Sequence, residues 1–338
     1  MLSKADKIRA YILGHVEKHP ADIAAQICKH FSVTRMTVTR QLQQLIFENK
    51  IIKTGKTSNA RYHLSEAKNK SFHLKISQTL DEFDVFTKCF YPALKTLPEN
   101  QYKIFEYCCT ELINNAKDHS TGSHLHCLLT WSDNAVTVVL EDDGVGVFKK
   151  VQQGFHLPDI QAGLLTLTKG KVTTDSKNHT GEGIFFSSRM VDRFILEANG
   201  IRYIKDNSLD DWFYETSSVK KGTKISLVVG FDCRRTVKAV FHDYMELENF
   251  SFDKTEVLVK LSKFGSERYI SRSQAKRILS DLTHFSRIVL DFRDIESVGQ
   301  GFVDEVFRVF CNQHPQIKIA YQNANDDIVF MITRGGQV

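Results

Sequence analysis

Through residues 4–48 the apolar positions recur at three and four, the spacing of one buried face of an α-helix. Ile8, Tyr11, Ile12 and Val16 mark a first amphipathic helix; Ile23, Ala24 and Ile27, after Pro20 and before Phe31, mark a second. Ser32, Val33 and Thr34 read as a tight turn whose hydroxyls cap a third helix over 35–48, with Val38, Leu42, Leu45 and Ile46 inward. The pattern then shortens into two strands, 51–54 and 61–64, around a polar GKTSN turn. Helical period returns over 101–119, where Ile104, Phe105, Cys108, Leu112 and Ala116 form the stripe. A β-branched run at 135–140 predicts a strand that stops at an acidic, glycine-containing turn. A helix is predicted over 184–193 and a strand over 224–229. Beyond 250, strands at 256–261, 288–292 and 318–321 alternate with helices at 273–282 and 302–310.

Length and composition set the frame for these elements. A chain of 338 residues with 42% hydrophobic and 25% charged residues is an ordinary globular composition divided into two or three domains. The boundaries expected are 1–66, 71–231 and 250–338, with short linkers near 65–71 and 232–249. No apolar run approaches the roughly 18 residues of a membrane span, and MLSKADKIRA lacks the apolar core of a signal peptide. The seven cysteines are scattered, with no CxxC pair. A reduced, cytoplasmic protein without membrane contact and without structural zinc is expected. The net charge of +5 is uneven: residues 1–70 hold thirteen Lys or Arg against five Asp or Glu. That excess points to an N-terminal module that meets a polyanion.

Three stretches carry the candidate chemistry. In ELINNAKDHS, Glu111, Asn115 and His119 are spaced by four, and Asp118 shares their face, away from the apolar stripe. An amide oxygen at Asn115 can complete a magnesium shell made otherwise of phosphate oxygens and water. Glu111, one turn earlier, can act as base toward a water or hydroxyl attacking a phosphate. In EDDGVGV, Gly144 and Gly146 let the backbone turn sharply beside the carboxylate of Asp142. In TGEGIFF, Thr180, Gly181 and Gly183 place backbone N–H groups at a helix N-terminus, where phosphate is favoured.

Together these resemble the nucleotide site of the GHKL ATPases, the group of gyrase, MutL, histidine kinases and anti-sigma-factor kinases. The resemblance implies a two-layer α+β sandwich of the Bergerat type that binds ATP with Mg2+. Glu111, Asn115 and Ala116 match the family's E-x-x-x-N-A pattern, and Asp142 matches the Asp of D-x-G-x-G, which accepts a hydrogen bond from the adenine amino group. Guanine presents a carbonyl at that point and would leave the carboxylate facing an acceptor. The interval 148–180, the family's ATP lid, carries Lys149, Lys150, Lys169 and Lys171; Lys169 and Lys171 are candidates for the phosphates. Lys221-Gly222-Thr223 resembles the start of the family's last core strand, with Thr223 on the adenine side.

Residues 4–64 resemble the winged-helix domains of bacterial transcription regulators. The resemblance implies duplex DNA as partner, met by Arg35, Thr37, Arg40 and Gln41 on the third helix and by Lys53, Lys56 and Arg61 on the wing. Binding to paired half-sites would require a homodimer. Residues 250–338, through GSERYISRSQAKRIL and LDFRDIESVGQGFVDEV, resemble a small α/β STAS-like module that follows some GHKL ATPases. Where anti-sigma antagonists carry a phosphorylatable Ser, this chain has Val298-Gly299-Gln300-Gly301-Phe302, so docking onto its own ATPase, another subunit or a partner protein is expected instead. The reading that follows is an ATP-switched DNA-binding transcriptional regulator. Two others stay open: a serine/threonine kinase of the anti-sigma type using Glu111, and the ATPase component of a multi-protein system.

Overall fold

The computed structural model describes residues 4–47, 50–55, 59–64, 69–172, 181–246, 251–262 and 269–335. The chain divides into two compact units. One contains the N-terminal residues through Phe72 with 128–138 and 228–232; the other contains everything else.

In the N-terminal region, α1 (Lys4–His15), α2 (Ile23–Phe31) and α3 (Arg35–Phe47) precede a hairpin of β1 (Ile51–Thr54) and β2 (Arg61–Leu64). The predicted stripes meet: Ile8, Ile12, Val16, Ile23, Ile27, Val38, Leu42, Leu45 and Ile51 form one core, with Tyr11, Ala24, Phe31 and Ile46 packed on it. Each helix is too short to persist alone in water, so this shared core is what holds them. Ser32 takes a left-handed backbone (φ 50°) that ends α2, and Thr34 Oγ1 accepts from the Thr37 amide at 3.3 Å to start α3. The hairpin is antiparallel, with Ile51 opposite Leu64 and Thr54 opposite Arg61.

The central region begins with β3 (Asn69–Lys75), so the expected linker at 65–71 runs into a strand. Helix α4 (Glu82–Val85), a π-helical turn (Phe86–Phe90) and α5 (Tyr91–Leu94) lead to α6 (Glu99–His119), the helix predicted over 101–119. Then follow β4 (His124–Trp131), β5 (Ala135–Asp142), α7 (Val147–Gly154), α8 (Ile160–Lys169), α9 (Gly183–Met190), β6 (Arg193–Ala198), β7 (Ile201–Asp206), β8 (Asp211–Thr216) and β9 (Thr223–Gly230). The seven strands make one sheet in the order β3-β4-β5-β9-β6-β7-β8. Arg193 opens a strand instead of closing the predicted helix, because the backbone is already extended at Val191. The second expected linker, 232–249, contains α10 (Val237–Tyr244), capped by Thr236 Oγ1 on the Ala239 amide at 3.1 Å.

The C-terminal region is built on three parallel strands, β10 (Lys254–Leu258), β12 (Arg287–Asp291) and β14 (Lys318–Gln322), in the order β10-β12-β14. Between them lie β11 (Tyr269–Ile270), α11 (Arg272–Leu279), β13 (Ser297–Val298), α12 (Gln300–Val303), a π-helical segment (Asp304–Phe310) and α13 (Cys311–Gln313); α14 (Asp326–Gly335) closes the described chain. Ala275, Ile278, Phe302, Val306, Ile328 and Ile332 bury the helical faces.

This module packs on the central region within the same unit. Phe252 is 4.5 Å from Phe185 and 4.9 Å from Phe186, ring centre to centre, and 5.0 Å from Phe285. Asp291, at 0% exposure, accepts from Trp212 Nε1 of β8 at 3.1 Å, from Arg293 Nε at 2.8 Å and from Asn323 Nδ2 at 3.1 Å. Arg293 in turn reaches Asp211 at 3.1 Å.

Candidate functional site

The cleft of the central region lies between α6, the turn after β5, the ends of α7 and α8, and the start of α9. It encloses about 960 Å³, solvent at its mouth included. From α6 come Glu111, Asn115 and His119, which the fourfold spacing placed on one face, together with Asn114. Ile104, Phe105, Cys108 and Ile113 anchor that helix in the core, while Leu112 and Ala116, also buried, line the cleft beside the polar row. Asp118, expected beside them, does not line it.

Asp142, at the end of β5, is the buried carboxylate of the cleft. Its Oδ1 accepts from the Gly144 amide at 2.9 Å and from the Thr223 amide at 3.3 Å. Burial pushes its carboxyl above the usual range, against the lowering effect of those two donors. Gly144 therefore acts behind the cleft wall as a donor to Asp142, while Gly146 and Thr223 line the cleft itself. Thr223 Oγ1 accepts from the Val147 amide at 3.0 Å, tying the start of β9 to the start of α7. This approach needs Gly222: its φ is +72°, and a Cβ there would sit 1.9 Å from the Asp142 carbonyl oxygen. A neighbouring carboxylate behaves differently: Asp143 is exposed and receives the Ser123 and His124 amides and the His124 ring, which hold it far below the usual range.

At the opposite wall, Gly181, Glu182, Gly183 and Ile184 line the cleft where α9 begins. Glycine at 183 permits the contact between this helix start and α6, since a Cβ would come within 2.5 Å of Glu111 Oε2. Thr180 lies outside the described residues.

The two expected phosphate lysines are elsewhere. Lys169 is 1% exposed, and its Nζ donates to the Arg277 carbonyl at 2.8 Å, the Ser280 carbonyl at 3.0 Å and Ser280 Oγ at 3.1 Å. Lys171 Nζ donates to the His284 carbonyl at 3.0 Å and lies over the Phe285 ring. Position in the interval 148–180 could not distinguish a lysine turned to the cleft from one turned to another module. Lys150 on α7 lines the cleft instead. Val151, Phe155, Leu167, Val172 and Ile225 add its apolar wall; nothing in a motif marks them, although the helical period of Val147, Val151 and Phe155 was available as a signal.

In the N-terminal region, Arg35, Thr37 and Arg40 are exposed on α3, and Lys53 and Arg61 are exposed on the hairpin. Gln41 departs from expectation: it is half-buried, with its Oε1 shielded from solvent. Lys56 lies outside the described residues. In the C-terminal module, Ser271 caps α11 in a reciprocal pair with Gln274, and Arg272 is engaged by Asp304.

No helix among the described residues is long and apolar enough to cross a membrane. Residues 101–232 match the model of the histidine kinase-, DNA gyrase B- and HSP90-like ATPases, and residues 274–329 match that of a STAS-like domain of unknown function. The chain thus carries a GHKL-type ATPase domain, which implies ATP binding, and a C-terminal STAS-like domain. Among solved structures, it is similar to the IcIR transcriptional regulator from Alicyclobacillus acidocaldarius at 12% identity, over 68% of this chain and 89% of that one. The TM-score is 0.17, a superposition too poor to define a shared fold. No curated protein matches the chain.

Proposed function

We propose that this chain is a DNA-binding regulator switched by ATP, with the cleft between α6 and α9 as its nucleotide site. The observation that supports it most is the buried Asp142 carboxylate, oriented by the Gly144 and Thr223 amides within a cleft also lined by Glu111 and Asn115. The donor set fits magnesium adenine nucleotide. Asp142 is an acceptor for the adenine amino group, and the apolar side chains of Val151, Leu167 and Ile225 suit a base. Asn115 offers a neutral oxygen to a metal, and Lys150 and the amides at the start of α9 suit phosphate. Among the described residues no cluster of three or more His, Cys, Asp or Glu could hold a metal unaided, so Mg2+ would need phosphate oxygens to complete its shell. A triphosphate with its metal supplies concentrated negative charge and, if it reacts, a phosphoryl group.

The residues of the chain divide the work. Asp142 selects the base, Asn115 holds the metal, and Lys150 offsets phosphate charge. Arg35, Thr37 and Arg40 on α3, with Lys53 and Arg61 on the hairpin, form the DNA-facing set of a winged helix, supported by their exposure and by the positive charge of residues 1–70. A switch requires that nucleotide change DNA affinity and, by linkage, that DNA change nucleotide affinity equally. The test is DNA binding by the full chain without nucleotide, with ADP and with a non-hydrolysable ATP analogue. A change of roughly five- to 150-fold is expected, the usual range of such coupling; identical affinities in all three states would refute the switch.

A second reading keeps Glu111 as a general base of a slow ATPase or a protein kinase, favoured by its place in the cleft against the start of α9. Glu111→Gln should then retain nucleotide and lose turnover, whereas Asn115→Ala should lose the metal-nucleotide complex. Wild-type turnover in Glu111→Gln would leave a switch that runs on binding alone.

A further inference from the structure

The wall of the cleft formed by residues 167–172 has two sides with different partners. Leu167 and Val172 line the cleft. Lys169 and Lys171, between them, are held by backbone carbonyls of the STAS-like module. The Lys169 ammonium ends on the last turn of α11, at the Arg277 carbonyl that also accepts from Ser280 Oγ at 2.8 Å, and the helix dipole favours a cation there. In the reverse direction, Thr255 Oγ1 of β10 donates to the Lys169 carbonyl at 2.6 Å, so both ends of this residue are fixed by the module. Gly170 follows with φ +81°, and a Cβ there would meet Phe252 at 2.6 Å and Phe185 at 2.8 Å. Val172 then donates its amide to the Gly181 carbonyl at 3.2 Å, and Gly181 is itself part of the cleft. A continuous path of hydrogen bonds and close packing therefore runs from α11 to the residues that face the nucleotide position.

We propose that Lys169 is a positioning residue for the nucleotide cleft, and that the STAS-like module sets nucleotide affinity by holding this lysine on the end of α11. The proposal rests on the cleft being the nucleotide site. Loss of the ammonium frees the segment 167–172 to take other arrangements, and the apparent affinity falls with the fraction of molecules that keep the wall in place. The coupling is reciprocal: nucleotide that favours the ordered wall also strengthens the grip on α11.

Lys169→Met keeps most of the buried stem and removes the three donors. Ser280→Ala removes one acceptor from a position at the edge of the module, and Lys171→Met removes the second tether. Each variant is made in the full chain, checked for folding by thermal melting, and titrated with magnesium-ATP by calorimetry. Amide hydrogen exchange of residues 277–284 is followed with and without ATP. The expected result is roughly fivefold or greater loss of ATP affinity in Lys169→Met, the lower edge of ordinary coupling between sites, with a smaller loss in the other two. Wild type should show slower exchange at 277–284 on adding ATP, and Lys169→Met should not; a lysine that merely stabilised the fold would leave that response intact. Should Lys169→Met fail to fold, the affinity and exchange response of Ser280→Ala and Lys171→Met decide the matter. Wild-type affinity and exchange response in the folded variants would overturn the proposal while leaving the nucleotide cleft standing. No ATP binding by wild type would remove both.

Discussion

The cleft and the seam between the ATPase domain and the STAS-like domain both contain buried charge, yet they treat it in opposite ways. In the cleft, Asp142 receives two backbone donors on Oδ1, and the walls around it are shaped to hold something else. Along the seam, Lys169 has three acceptors and Asp291 has donors from Trp212, Arg293, Gln322 and Asn323. Burying an ion is costly unless it is paired and hydrogen-bonded. A seam can satisfy that requirement permanently, whereas a binding site leaves part of it to a ligand. The same residue type can therefore serve either end: Lys150 faces the cleft, and Lys169, nineteen positions on, is enclosed by another domain.

The largest expected effect tests the seam. Asp291→Ala removes the buried acceptor of the Trp212 indole N–H and one partner of the Arg293 guanidinium, which keeps Asp211, so a loss of about 3 kcal/mol is expected, the lower end for breaking a buried pair. Urea unfolding of the full chain measures it; a loss under about 1 kcal/mol would mean that water reaches these groups and that the contrast with the cleft is weaker than drawn.

Asp142→Asn tests the other side. The amide keeps the volume but loses the charge and one acceptor oxygen, so ATP affinity should fall by a factor of about 10 to 150, corresponding to about 1.5–3 kcal/mol for a hydrogen bond to a charged group. Calorimetry with ATP and GTP checks it. Equal binding of both by wild type would show that this carboxylate does not read the base.

Titration separates the two regions next. Burial raises the Asp142 carboxyl, so ATP affinity should begin to fall on acidification at a pH above the ordinary aspartate range. Burial lowers Lys169 to about 7 and Lys205 to about 8. Between those values and the ordinary lysine range, the unfolded chain binds protons that the folded chain has released, so stability should rise with pH above about 7. Lys169→Met should flatten the lower part of that rise and leave the Lys205 part. An unchanged slope in melting temperature against pH would place the Lys169 ammonium in contact with water.

The smallest effect concerns the N-terminal region, where Arg35, Arg40, Lys53 and Arg61 are exposed. Replacing Lys53 by Ala should lower the dependence of log affinity for duplex DNA on log salt by about 0.9, the contribution of one phosphate contact. Changing Arg35 and Arg40 should reduce discrimination between sequences more than the salt slope. DNA binding that ignores salt would show that these exposed charges do not meet phosphates.

Helices and strands whose apolar period was complete, such as 101–119 and the stripe Val38, Leu42 and Leu45, were legible because burial on one face selects residue type at a fixed spacing. Glu111, Asn115, Asp142 and Gly183, singled out by residue type and separation, all line one cleft. The helix at 237–244 lies in the stretch read as a linker: its apolar residues Val240, Phe241 and Tyr244 acquire a surface to cover only through partners such as Phe186, 4.4 Å from Phe241. The sequence by itself determined the three N-terminal helices with their hairpin, the helix at 101–119 with its polar row, and, through motifs, the ATPase and STAS-like domains. Only the tertiary structure decided that Lys169 and Lys171 turn to α11 and the loop that follows it while Lys150 faces the cleft, and that Gly144 works as a donor to Asp142 behind the cleft wall. A lysine's direction depends on which acceptors lie within the reach of its long stem, and those acceptors come from residues more than a hundred positions away.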